Sequence, residues 1–192
     1  MGNRRLSRKR LYEVEKKGQT IDLGAAIGIK DAIVSASQHR NGQELITEIA
    51  IDIGTSKAAI KGGGGAGQPF GTASAAAAIT ELTVAKYGII TEVRALMMEL
   101  PTSDSTAVVD VDLHFGNNGT GAQGGSITGG TEILADLTAV GEDTSKFYDG
   151  NELSGKFLYL VNGNGTGNSS SDVQTGGKFL IYIHGFVAPA DL

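Results

Sequence analysis

Glu44-Leu45-Ile46-Thr47-Glu48-Ile49-Ala50-Ile51-Asp52-Ile53 alternates with a period of two. Leu45, Thr47, Ile49, Ile51 and Ile53 share one face, and Ile46, Glu48, Ala50 and Asp52 share the other, the pattern of a half-buried β-strand. The preceding run, Ile29 to Gln38, has the same period. His39-Arg40-Asn41-Gly42-Gln43 joins the two, and Asn-Gly between alternating runs is a strong hairpin signal.

The same period recurs along the chain. Ile79 to Val84 reads as a strand, as does Tyr87 to Leu100, which Pro101 is expected to end. Helix propensity competes over Glu92–Leu100. The alternation of Ile89, Thr91, Val93 and Ala95 with polar Glu92 and Arg94 favours strand. Thr106 to Phe115 is the cleanest run, with Val109, Val111, Leu113 and Phe115 predicted to face in and Asp110, Asp112 and His114 to face water. Thr131 to Val140 is ambiguous; Thr131 would N-cap one or two helical turns. Lys156–Val161 and Lys178–Val187 close the series, each entered through Gly-Lys-Phe-Leu, at Gly155 and Gly177. Between the strands lie Lys61–Ala78, Gly116–Gly130 and Asn162–Gly177. Glycine is 29 of 192 residues, roughly twice the usual ~7% share. The first of these loops, which contains Gly62-Gly63-Gly64-Gly65, reads as a long flexible segment unable to pack a core. Seven or eight short strands with turns between them predict an all-β fold: an antiparallel β-sandwich or jelly roll, with a closed barrel as the alternative.

Charge divides the chain near Gly18. Residues 1–17 hold seven basic residues against Glu13 and Glu15, a net of +5; the remainder holds nine basic and nineteen acidic residues, a net of −10. This predicts a basic N-terminal arm, 1–18, short and helical or extended, ahead of a β-sandwich body, 19–192. Leu6 to Lys17 reads as a short helix ended by Gly18, with Leu6, Leu11 and Val14 on an apolar stripe. At about 12 residues it is marginal alone and is expected to order by docking. The candidate partner-binding residues are Arg4, Arg5, Leu6, Arg8, Lys9, Arg10, Leu11 and Val14. A basic arm suits a polyanion or an acidic protein surface.

Catalytic signals are weak. No Gly-Lys-Ser/Thr opens a helix, and no Gly pattern connects a strand to a helix with an acidic residue about 20 positions on, which argues against a P-loop or a dinucleotide fold. The chain has no cysteine and three scattered histidines, His39, His114 and His184. There is no nucleophile elbow or His-x-x-x-His, so no enzyme activity and no cofactor is expected. Asp110, Asp112 and His114, at i, i+2, i+4, form the one candidate cation row. The simpler reading is the solvent face of an amphipathic strand. No apolar run nears the ~18 residues of a membrane span, and no apolar h-region follows the charged N-terminus as in a secretory signal.

Three stretches carry a family resemblance: Met1-Gly2-Asn3-Arg4-Arg5-Leu6 through Glu15-Lys16-Lys17-Gly18, then Glu81-Leu82-Thr83-Val84-Ala85-Lys86-Tyr87-Gly88-Ile89-Ile90-Thr91-Glu92, then Gly177-Lys178-Phe179-Leu180-Ile181-Tyr182-Ile183-His184-Gly185-Phe186. On these the chain resembles the small structural proteins of tailed bacteriophage virions, especially of marine phages that infect cyanobacteria. The resemblance implies a virion component assembled in the host cytoplasm, with no catalytic residues. The expected function is a capsid decoration, or cement, protein that binds the assembled major capsid protein and self-associates, with a trimer favoured. A neck or tail subunit is the alternative within the virion. Outside it, the alternatives are a nonspecific nucleic-acid binder acting through the arm, against which the acidic body argues, and a cation-dependent carbohydrate-binding sandwich.

Overall fold

The computed structural model describes residues 19–24, 28–54, 59–72, 75–104, 110–141, 143–148, 152–163 and 172–187, with backbone alone for 131–136. The arm, 1–18, with all eight of its candidate binding residues, lies outside the described residues, as do Thr106 and Val109.

Ten strands are formed: β1 (Gln19–Thr20), β2 (Ile33–Asn41), β3 (Glu44–Asp52), β4 (Thr80–Leu82), β5 (Ile89–Ser103), β6 (Val111–Gly116), β7 (Thr131–Leu137), β8 (Asp143–Phe147), β9 (Lys156–Asn162) and β10 (Gln174–Phe186). One sheet has the order β1-β2-β3-β10-β5-β8 and the other β4-β9-β6-β7, every pairing antiparallel. The expected all-β, sandwich-like fold is therefore present. The sheets share one core. Ile49, Ile51, Val93, Met97, Phe179 and Ile181 from the first meet Leu82, Val111, Leu113, Phe115, Leu158 and Leu160 from the second. The inward face of β3 is the expected one: Leu45, Thr47, Ile49 and Ile51 are all buried.

Several expectations are corrected. The hairpin loop is Gly42-Gln43, because Asn41 already pairs with Glu44. Gly42, at φ 63, is the first of the two loop residues, where such turns need left-handed backbone. Thr131–Leu137 is not helical; it pairs with β6, so tertiary pairing overrides the local propensity. The run after Ile79 is a strand only from Thr80 to Leu82. A four-residue helix, α1 (Val84–Tyr87), follows, capped by the Thr83 hydroxyl accepting from the Lys86 N–H at 3.3 Å. Strand β5 passes through Pro101 rather than ending there. Pro101 sits in a register shift, between the Thr102–Gly176 and Glu99–Lys178 pairs, and beyond the reach of β8, which pairs only with Glu92–Leu96. The missing N–H is tolerated at such an irregular edge. A second shift near Thr91 changes the phase of β5. Ile90 is buried and Ile89 exposed, opposite to simple alternation, before Val93, Ala95 and Met97 resume inward.

The largest correction concerns the glycine-rich segments. Lys61–Ala78 is not a flexible linker where it is described. The Gly67 N–H donates to the Asn162 carbonyl (2.7 Å), the Asn162 N–H to the Gln68 carbonyl (3.0 Å) and the Phe70 N–H to the Leu160 carbonyl (3.0 Å). Residues 67–70 thus extend β4 along the free side of β9. Ile60 and Phe70 are fully buried. The segment meets the second glycine loop through the Ala76–Ala122 bridge and the Ala77 N–H to Gly121 carbonyl bond of 2.8 Å. Together the loops cover the outer face of the four-stranded sheet. There Tyr159 and Val161 pack with Ala78, Ile127 and Phe157, and the Tyr159 hydroxyl donates to the Asn118 carbonyl at 2.7 Å and accepts from the Gly121 N–H at 3.2 Å.

Two tests follow from this packing. A Cβ at Gly63 would lie 2.1 Å from the Gln68 carbonyl oxygen, whereas one at Gly65 meets nothing closer than 3.4 Å. Gly63→Ala is expected to cost about 1–3 kcal/mol and Gly65→Ala to lie within about 0.5 kcal/mol of wild type, by denaturant unfolding. Equal, negligible effects would mean the loop is not packed. The Tyr87 hydroxyl is hydrogen-bonded to the Thr80 hydroxyl at 2.8 Å in the core. Burial pushes the phenol well above its ordinary range, and the Thr80 bond offsets only part of this. Below pH about 10 the phenol is neutral in both states; above it the unfolded chain ionises first, so the fold loses stability as pH rises. Thermal melts are expected to fall above pH about 10, and Tyr87→Phe to shrink that fall while costing about 0.5–1.5 kcal/mol at neutral pH.

Candidate interaction face

The two sheets differ in what covers them. In the four-stranded sheet both faces are packed. In the six-stranded sheet the described residues pack only the inner face. Alternation fixes the outer set. One row crosses His39, Ile46, His184, Glu92 and Phe147; the next crosses Ser37, Glu48, Tyr182, Arg94 and Ser145; a third crosses Ser35, Ala50, Leu180, Leu96 and Asp143. Asn41, Glu44, Phe186 and Ile89 form the row at the hairpin end. Every residue in these four rows is half-buried or exposed. Phe147 is 75% exposed and Phe186 47%, whereas Phe179, one residue before Leu180 and pointing inward, is 2% exposed. Large apolar groups left in water beside polar ones mark interaction surfaces.

The face is acidic. Glu44, Glu48, Glu92, Glu99 and Asp143 are set against Arg94 and Lys178, five carboxylates against two cations, a net of −3, while Asp52 at the end of β3 is buried. Arg94 forms a two-pronged bond to Asp143, with its guanidinium 5.8 Å from the centre of the Tyr182 ring. That bond holds the Asp143 carboxyl below the usual carboxylate range and raises the Arg94 guanidinium. Lys178 is hydrogen-bonded to Glu99, which raises its ammonium, and lies 4.0 Å from Asp52. His184 Nδ1 is 3.5 Å from Glu44. Burial raises the Tyr182 phenol, with Glu48 adding to the effect. Both basic side chains are therefore already engaged by carboxylates.

The candidate cation row is placed differently from its expectation. Asp110 and Asp112 are 7% and 3% exposed, so they do not face water. Their side of β6 is the one beneath the glycine loops. Gly163 packs so closely on the Asp110 carboxylate that a Cβ there would lie 2.1 Å from its carbon, and a Cβ at Gly67 would lie 3.4 Å from the His114 ring. Alternation gave the correct relative faces, but not the loops that cover the polar one. No group of three acidic or histidine side chains among the described residues is arranged to hold a metal ion. The three histidines are not brought together: His39 and His184 flank Ile46 on the outer face of one sheet, while His114 lies on the other sheet.

Sequence reasoning missed the exposed face as a site. Its signals were Phe147, in a segment to which no element was assigned, and the polar side of the β3 alternation. No helix among the described residues is long and apolar enough to cross a membrane. Comparison of the chain with protein-family models, with curated proteins and with solved structures gives no match in any of the three.

A face held by neighbours only through its backbone should tolerate truncation. Phe147→Ala is expected to move the unfolding free energy by no more than about 0.5 kcal/mol, against about 3–5 kcal/mol for Phe179→Ala. A large loss for Phe147→Ala in denaturant unfolding would place Phe147 in the core.

Proposed function

We propose that this protein is a structural component of a tailed bacteriophage particle, a capsid decoration protein that docks on the assembled major capsid protein. One juxtaposition carries the reading: a basic, amphipathic arm joins at Gln19 the edge of the same sheet whose outer face is acidic and partly apolar. Both are docking elements. The resemblance to virion proteins supplies the setting, and two of its three stretches fall within the described residues. Glu81–Glu92 crosses β4, α1 and the start of β5, and Gly177–Phe186 is nearly all of β10.

The physical logic is that of a coat. A body stiffened by two sheets gives a fixed surface. An arm that orders on docking lengthens the contact without enlarging the core. Many modest contacts on a repeating lattice become firm through avidity. The arm brings two kinds of contact. Burying Leu6, Leu11 or Val14 contributes about 1.5–3 kcal/mol each, whereas a surface ion pair contributes no more than about 1 kcal/mol. Raising salt to 1 M shortens the Debye length to about 3 Å and weakens only the charged contacts.

Leu11→Asp is therefore expected to strip the protein from purified particles more completely than Arg8→Ala, and 1 M salt alone to release a minority. Co-sedimentation with particles, followed by quantitation of bound copies, measures all three. Hundreds of copies per particle are expected for a capsid coat; tens or fewer would move the protein to the neck or tail. Complete release by salt with Leu11→Asp still bound would make the arm an electrostatic tether and favour nucleic acid as its target.

A further inference from the structure

We propose that the outer face of the six-stranded sheet receives the basic arm, residues 4–17, of a second copy of this chain. The inference rests on the coat reading in one respect: lateral association in a coat selects a neighbouring copy over the chain's own body.

Charge is the first argument. The arm is +5 and the face is −3. Arg94 and Lys178 are already engaged by Asp143 and Glu99, so an approaching cation meets Glu44, Glu48 and Glu92. The second argument is apolar. Phe186 and Ile89 are adjacent at the hairpin end, and Phe147 lies beside Glu92 in the next row. This sets exposed apolar groups among carboxylates, which complements an arm that sets Leu6, Leu11 and Val14 among Arg and Lys. Apolar anchors within a charged rim are the usual build of a helix-receiving surface.

Length agrees. The strands carrying Phe186, Ile89 and Phe147 are neighbours, so these anchors lie across two strand spacings, about 10 Å at ~4.8 Å per strand. Twelve residues of helix span about 18 Å. Direction favours the neighbour. Because β1 runs antiparallel to β2 with Gln19 opposite Gln38, the N-terminal end of β1 faces the Asn41 end of β2, at the corner of the sheet. Arg40 stands exposed at that corner, and folding back over the same sheet would carry Lys16 and Lys17 past it. Each copy then has one donor and one acceptor surface. Such heterologous contacts close into rings when the rotation permits. They also relieve the repulsion between copies that each carry −5.

The chain lacks cysteine, so a single label can be placed at will. Full-length protein carrying a donor dye at Ser7→Cys is mixed with full-length protein carrying an acceptor at Ser145→Cys, and association is followed by energy transfer and by sedimentation. The expected result is transfer between copies and a species larger than a monomer. Adding Glu48→Lys and Glu92→Lys to the acceptor copy should weaken association by about tenfold or more. Arg5→Glu with Arg8→Glu on the donor copy should restore most of it, while the melting transition of each variant stays close to wild type. Rescue by the paired reversal is what a merely misfolded variant would not show. Monomers without transfer between copies overturn the proposal. So does transfer confined to single chains carrying both labels, which would put the arm on its own body. So does association that ignores both sets of reversals. Binding of the same variants to particles is scored separately: particle binding without association between free copies sinks this inference and leaves the coat reading standing, and association without particle binding does the reverse.

Discussion

The four consecutive residues Leu158-Tyr159-Leu160-Val161 impose the constraint on which the rest depends. All are buried, and they point alternately to opposite faces of β9. A strand apolar on both faces must lie in the middle of three layers. Leu158 and Leu160 meet the six-stranded sheet. Tyr159 and Val161 must be covered by something else, and the only cover the described chain provides on that side is its glycine-rich loops. Those loops can lie so close because they have few side chains. Gly121 sits where a Cβ would come within 3.2 Å of the Tyr159 ring and hydroxyl, and Gly116 where one would come within 2.9 Å of the ring. The composition that made the loops look unstructured is what lets backbone act as the third layer.

The contrast with β3 explains the asymmetry of the molecule. Glu44–Asp52 alternates, so one of its faces belongs in a core and the other does not. The same holds for β10, where Phe179, Ile181 and Ile183 are buried and Leu180, Tyr182 and His184 are only half-buried. A sheet built from such strands has one outer face with no need of a third layer. What is left there is a mixture of carboxylates, aromatic rings and paired cations on the outer side of the sheet.

Legibility followed the same division. Strands that alternate were found from sequence, and so was the hairpin, to within one residue at its turn. The inward faces of β3 and β6 were right wherever the structure describes them. What failed was non-local. The phase of β5 depends on a shift near Thr91 that local pattern does not encode. Pro101 looks like a terminator until the partner strand on that side is known to have ended. Thr131–Leu137 has helical propensity and becomes a strand because β6 has an edge to pair. Asp110 and Asp112 alternate with apolar residues as solvent-facing residues do, and only backbone from parts of the chain distant in sequence, Gly163 on Asp110 among it, covers them. The arm was legible as charge. The face it is proposed to meet was not, because its residues come from five strands, most of them far apart in sequence.

The central claim is that one sheet face is kept in water for contact with other subunits, while the other sheet is sealed beneath glycine loops. A reconstruction of the decorated particle, at a resolution that separates the two sheets of this chain, tests it directly. The six-stranded sheet should lie against neighbouring subunits, with Phe147, Phe186 and Tyr182 in the contact, and the glycine loops should stay away from it. Density that seats the protein through its glycine loops, with the six-stranded sheet turned to solvent, would contradict the account.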